Sequence, residues 1–218
     1  MINRIRVASL DVDPQCGFSP LCPNELPVTE GDHIVAELNA QAKYATFRVG
    51  SKDAHPANPI WLATPDHPVL SQVKGQANAD LYWPSHCVVG TRGFELLPGL
   101  PAPENYDYFV WKGMEPHLHP YGACFHDQQN LLSTGVIEWL REKEIQYVIV
   151  GGLATDYCVA TTVTQLLDVG FQVYLNVAAC RGISKEGSER FFENTIRDFY
   201  PRFKTLDNAA KLAELIEL

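Results

Sequence analysis

The chain has 218 residues, 46% of them hydrophobic and 20% charged, which suffices for one sizeable core and does not require two. A formal net charge of -9 argues against a nucleic-acid partner, since binding a phosphate backbone needs clustered Lys and Arg, and leaves a small molecule as the expected partner. No apolar run approaches the roughly 20 residues of a membrane span, and the N-terminus lacks a basic segment followed by an apolar stretch, so an unexported, cytoplasmic protein with no membrane partner is expected.

Apolar, β-branched runs at residues 5–13, 44–49, 106–111, 147–150 and 173–177 predict buried parallel strands. Helical spacing lies between and after them. It appears in Ile34, Leu38 and Ala42, in Val136, Ile137 and Leu140, in Val159, Val163, Leu166 and Leu167, and in Phe192, Ile196 and Phe199. A short last strand at 203–206 leads to a helix that Asp207 or Asn208 would cap, with Leu212, Leu215 and Ile216 as its apolar stripe. This alternation specifies the α/β class, a three-layer α/β/α arrangement around a doubly wound sheet with right-handed crossovers. Residues 53–105, rich in Pro, Gly, His and Asn, show no sustained period. They predict a long loop region that builds a metal and substrate site within a single domain spanning 1–218.

Six cysteines are scattered along the chain with no Cys-x-x-Cys pair, which fits neither a zinc knuckle nor a disulfide scaffold, so each reads as a reduced thiol. Cys158 differs from the rest by its position. It closes Gly151-Gly152-Leu153-Ala154-Thr155-Asp156-Tyr157-Cys158, between a strand end and a helix whose apolar stripe starts at Val159. An isolated cysteine is ordinarily a small buried hydrophobe, but at a helix N-terminus the unpaired N–H groups and the dipole favour thiolate and can hold an oxyanion.

Asp13 ends the first predicted strand and Lys112 follows the third. Alone, the one would be a turn residue and the other a solvated charge. With Cys158 they form a usable set, in which Lys112 favours the thiolate and Asp13 carries its proton to a leaving amine. Asp53 and His55 have the i, i+2 spacing that points two side chains the same way from extended backbone, and His86 can add a third ligand. Such a set suits zinc, manganese or iron, the competing reading being a solvated histidine turn. His117-x-His119 has the same spacing, but it is flanked by prolines and lacks a carboxylate partner beyond Glu115, so it reads as a turn without a ligand role. His33 and His126 read as surface residues. Phe18 and Trp83 either sandwich a flat ring or pack the core.

At this point the segments resemble the isochorismatase-like cysteine hydrolases, and among these the nicotinamidases. Asp13-Pro14-Gln15-Cys16-Gly17-Phe18 is similar to the family motif Asp-Val-Gln-Asn-x-Phe, which places the catalytic aspartate at Asp13 rather than Asp11. Asp53-Ala54-His55-Pro56-Ala57-Asn58 and Trp83-Pro84-Ser85-His86-Cys87-Val88 resemble its metal segments, Trp111-Lys112-Gly113 its lysine segment, and Gly152 to Val159 its nucleophile motif. The resemblance implies a six-stranded parallel sheet, assembly into homo-oligomers, and hydrolysis of nicotinamide to nicotinate and ammonia in NAD salvage through a Cys158 thioester. It also implies Asp13 and Lys112 as catalytic partners, and a cis peptide before Ala154, whose N–H joins that of Cys158 in the oxyanion hole. Phe18, Trp83 and Tyr121 would bind substrate. One divalent ion, zinc first with iron or manganese as alternatives, would sit on Asp53, His55 and His86 and hold the pyridine nitrogen.

The chain departs from the family pattern at Pro14, at Pro59-Ile60-Trp61 where many members have His-x-Ser-Phe, and at Tyr121-Gly122-Ala123-Cys124-Phe125 where members carry a shorter Tyr-Ser-x-Phe. Some members place a fourth metal ligand in the second of these segments, where Trp61 cannot serve; Thr64, Asp66 and His67 follow nearby and water is the other candidate, so that ligand is left open. Two alternatives compete with nicotinamide hydrolysis: a related amidohydrolase acting on carbamoyl or ureido compounds, and a non-catalytic scaffold.

Overall fold

The computed structural model describes residues 2–217. Its strands are β1 (Ile2–Asn3), β2 (Val7–Val12), β3 (Phe47–Asp53), β4 (Tyr108–Lys112), β5 (Tyr147–Leu153), β6 (Gln172–Arg181), β7 (Phe203–Leu206) and β8 (Ile216–Glu217). Its α-helices are α1 (Val35–Ala42), α2 (Val136–Glu142), α3 (Ala160–Asp168) and α4 (Lys185–Phe199). Every residue of β2 is buried, which only a layer on each side of the sheet can achieve. Ala8, Leu10 and Val12 face one core, shared with Val136, Ile137 and Leu140 of α2 and Val163, Leu166 and Leu167 of α3. Val7 faces the other way, toward Ile149, Ala209 and Leu212, and α1 packs on that same side of β2, β5 and β6.

The six central strands are all parallel in the order β4-β3-β2-β5-β6-β7. The chain runs outward in one direction from β2 and then restarts at β5 on its other flank. The carboxyl ends of β2, β3, β4 and β5 therefore meet at the point where the winding reverses, the usual ligand crevice of an open α/β sheet. The expected three-layer α/β/α fold is the one observed.

Several boundaries differ from the sequence reading. The strand read at 44–49 lies at Phe47–Asp53, because Gly50, Ser51, Lys52 and Asp53 are buried despite their polarity. The strand read at 147–150 runs on to Leu153, and the one read at 173–177 runs to Arg181. The expected C-terminal helix is instead a 3-10 segment, Ala209–Glu214, capped by the Asn208 side chain. Ile216 then pairs with Ile2 in a small parallel ladder, which the helix would have consumed.

Between β3 and β4 the described chain has no α-helix and no long strand, as expected, and isolated bridges and scattered hydrogen bonds tie it down. It nonetheless has its own small core of Trp61, Ala79 and Trp83. No helix among the described residues is long and apolar enough to cross a membrane.

Candidate active site

Lys112, the last residue of β4, is fully buried and lies between two carboxylates. Its Nζ is 2.9 Å from Asp13 Oδ2, pairs with Asp53 Oδ1, and stands 4.0 Å from Cys158 Sγ. Burial works against its charge, but Asp13 and Asp53 outweigh it and hold Lys112 well above the usual lysine range. It is therefore a fixed cation.

Asp13 sits one residue past β2 with φ 44°, a left-handed conformation that Asp tolerates better than most residues and that turns the chain out of the strand. The hydroxyl of Ser51 donates to Asp13 Oδ1 at 2.7 Å, so β3 fixes the orientation of this carboxylate. Burial pushes the Asp13 carboxyl up to about 6 against the pull of Lys112. Asp11, the other candidate for the motif aspartate, is pointed at Arg48 and Tyr106 and does not join the site.

Cys158 lies in a π-helical turn, Thr155–Val159, that precedes α3. The peptide before Ala154 is cis, as the resemblance implies. The expectation of a resting thiolate is corrected. Burial pushes the Cys158 thiol well above its ordinary value; Lys112 pulls it back, and the nearby Asp53 and Asp13 charges push it up again. The upward shift favours the thiol over the thiolate at rest, with the Asp13 carboxylate one of its causes.

The loop region brings up the imidazoles. His55 Nδ1 lies 3.1 Å from the carbonyl of His86, and His86 Nδ1 lies 2.7 Å from the carbonyl of Pro84. A carbonyl only accepts, so each ring keeps its proton on Nδ1 and presents the lone pair of Nε2. Burial holds both rings below the usual histidine range, hence neutral, the form a metal requires. Asp53 Oδ1 lies 3.6 Å from His55 Nε2, so one carboxylate faces both the lysine and the imidazoles. Gln15 secures that arrangement, its amide bonding the backbone N–H of Asp53 at 2.7 Å and its carbonyl at 2.8 Å.

His119, read from sequence as a turn residue, is buried beside them. His55, His86 and His119 each offer a ring nitrogen within 4.8 Å of the others, and Asp13, Asp53 and Cys158 form a second such group. Trp61, Thr64, Asp66 and His67 supply no further ligand; Trp61 packs as a core residue and His67 stacks on Tyr82.

A pocket opens above Cys158, walled mainly by apolar and aromatic side chains. Phe18, Trp83 and Tyr121 all line it, as expected. Tyr157 was not singled out from sequence, yet it also lines the pocket, with its ring edge-on to Trp83 at 4.9 Å. Its place next to the nucleophile in the motif was the available signal. Asp156, the other motif residue, accepts from the N–H groups of Ile183 and Ser184 at 2.9 and 2.8 Å, which docks the start of α4 against the nucleophile turn.

Residues 35–205 match the isochorismatase domain, most of the chain and all of the central sheet except β2. The chain belongs to the isochorismatase family. Within this family, the chain is 36% identical over 165 residues to a nicotinamidase of Escherichia coli (strain K12), covering 73% of this chain and 76% of that protein. Among solved structures it is similar to an Acinetobacter baumanii nicotinamidase/pyrazinamidase, with a TM-score of 0.84 and 30% identity over 95% of this chain and 98% of that one. A Pyrococcus horikoshii pyrazinamidase in complex with zinc has a TM-score of 0.71 and 30% identity, over 92% and 98% of the two chains. This family member is thus an amidohydrolase by fold and by relatives, with side chains arranged to accept a divalent metal.

Proposed function

We propose that this chain is a nicotinamidase, hydrolysing nicotinamide to nicotinate and ammonia, with Cys158 as nucleophile, Asp13 as proton carrier and Lys112 as the fixed charge between Asp13 and Asp53. The observation that carries this is the convergence of Lys112 on Asp13 at 2.9 Å and on Cys158 at 4.0 Å beneath a pocket lined by Phe18, Trp83 and Tyr121.

Because the thiol is protonated at rest, attack and proton transfer run together. Asp13 takes the proton from Cys158 as sulfur bonds to the carboxamide carbon, and the carbonyl oxygen becomes an oxyanion facing the N–H groups of Ala154 and Cys158. On collapse, Asp13 returns that proton to the departing nitrogen, which leaves as ammonia and generates the thioester. A water that gives its proton to Asp13 then adds to the thioester, and the sulfur departs and is reprotonated, releasing nicotinate. Lys112 keeps Asp13 oriented through both halves without exchanging a proton.

Phe18, Trp83 and Tyr121 flank the ring, which is the role aromatic walls serve for flat heterocycles. Asp53, His55 and His86 have a donor set that suits a divalent ion, with His55 and His86 in one imidazole cluster and Asp53 Oδ1 3.6 Å from His55 Nε2, and the zinc-bound pyrazinamidase supports zinc. Bound there, the ion would supply a Lewis acid for the ring nitrogen of the substrate. A single domain spanning the chain, homo-oligomeric assembly and a cytoplasmic location complete the reading.

Ammonia release from nicotinamide by metal-replete protein tests it. Cys158→Ala and Asp13→Asn each abolish release, by at least about a thousandfold if the nucleophile and its base act as a unit. Cleavage of a ureido compound with no release from nicotinamide would overturn the substrate and keep the family.

A further inference from the structure

We propose that His119 is a ligand of the divalent ion, completing a site of three imidazoles and the Asp53 carboxylate. The proposal rests on the reading of Asp53, His55 and His86 as a metal site, and not on the identity of the substrate.

His119 comes from the segment between β4 and α2, far in sequence from the other candidates, and is only 3% exposed. Its Nδ1 is buried with no hydrogen-bond partner among the described residues, and His55 Nε2 is orphaned in the same way. Buried polar atoms are ordinarily satisfied, and two unsatisfied ring nitrogens in one cluster mark a missing shared partner. A cation is that partner. Neutral imidazoles offer lone pairs, the ring nitrogens of the three histidines lie within 4.8 Å of one another, and Asp53 Oδ1, 3.6 Å from His55 Nε2, supplies a negative charge at the edge of the cluster.

The ring is also held for this purpose. Trp61 packs against it with centroids 4.2 Å apart, while its backbone is tied down, the main-chain N–H of His119 donating to the Asn78 carbonyl at 2.8 Å and its main-chain carbonyl accepting from Gln128 at 2.9 Å. Backbone anchors and one ring contact thus hold an imidazole whose Nδ1 has no hydrogen-bond partner among the described residues. Trp61 stands in the segment where the chain departs from its family pattern, so the residue that cannot itself bind the ion is the one that braces His119.

A third imidazole makes the donor set richer in nitrogen, which favours zinc and other late first-row ions over manganese. It also ties the loop after β4 to the loop after β3 through the metal.

The test uses purified full-length protein and measures Zn²⁺ affinity by competition with a chromophoric chelator, for wild type, His119→Ala and the more volume-conserving His119→Gln. Both variants are expected to bind Zn²⁺ at least about tenfold more weakly. A second measurement needs no variant: Co²⁺-loaded wild type should show three hyperfine-shifted, exchangeable imidazole N–H resonances in its proton spectrum. Unchanged Zn²⁺ affinity in a folded variant, or two such resonances, would overturn the assignment of His119 while leaving the metal site intact. Wild type that binds no divalent ion would overturn the metal site itself.

Discussion

Lys112 has no solvent and two carboxylates, so its role is electrostatic before it is chemical. Removing the ammonium would leave Asp13 and Asp53 facing each other in a buried space. Lys112→Met is expected to abolish activity and to destabilise the metal-free protein by about 3–5 kcal/mol in urea unfolding, with part of the loss recovered by adding Asp53→Asn. Asp13 gives the pH dependence. Its carboxyl is raised to about 6 and must be ionised to accept the thiol proton, so kcat/KM should be flat above that value and fall about tenfold per unit as pH drops below it. A pH–rate profile checks this, and a bound cation would shift the inflection lower by favouring the ionised form.

At the level of elements, the catalytic groups are placed by strand ends and the metal candidates by loops that must approach those ends closely. Gly113 shows how close. It follows Lys112 with φ 77°, and a Cβ there would lie 2.8 Å from His55 Cδ2. Gly113→Ala should cost about 1–2 kcal/mol for the backbone conformation alone and, by displacing His55, weaken metal affinity more than it weakens folding. Calorimetry with and without added Zn²⁺ separates the two effects. The strand centres were legible because parallel strands buried on both faces read as continuous apolar runs. Their carboxyl ends were not, since Ser51, Lys52 and Asp53 are polar residues that the site, rather than water, surrounds. The last helix failed for a similar reason: Leu212, Leu215 and Ile216 have helical spacing, but Ile216 finds a better partner in Ile2.

For the whole molecule, an ion on the proposed ligands would join segments that are otherwise linked by isolated bridges, scattered hydrogen bonds and packing. Its removal should lower the melting temperature by roughly 5–10 °C relative to protein with free ion at about a hundred times its Kd, measured with and without chelator at fixed ionic strength. The sequence by itself determined the α/β class, the family, and the set of Asp13, Lys112 and Cys158, because strand-helix alternation and short motifs at strand ends are local properties of the chain. It also marked Asp53 and His55 through their i, i+2 spacing and His86 through its own short motif, which are likewise local. Only the tertiary structure decided that Cys158 rests as a thiol and that His119 joins the imidazole cluster. Both depend on distances between segments remote in the chain: burial and two carboxylates set the proton on Cys158, and three loops meeting behind Trp61 set the place of His119. No local pattern carries such distances, since they arise when the sheet closes around its reversal point.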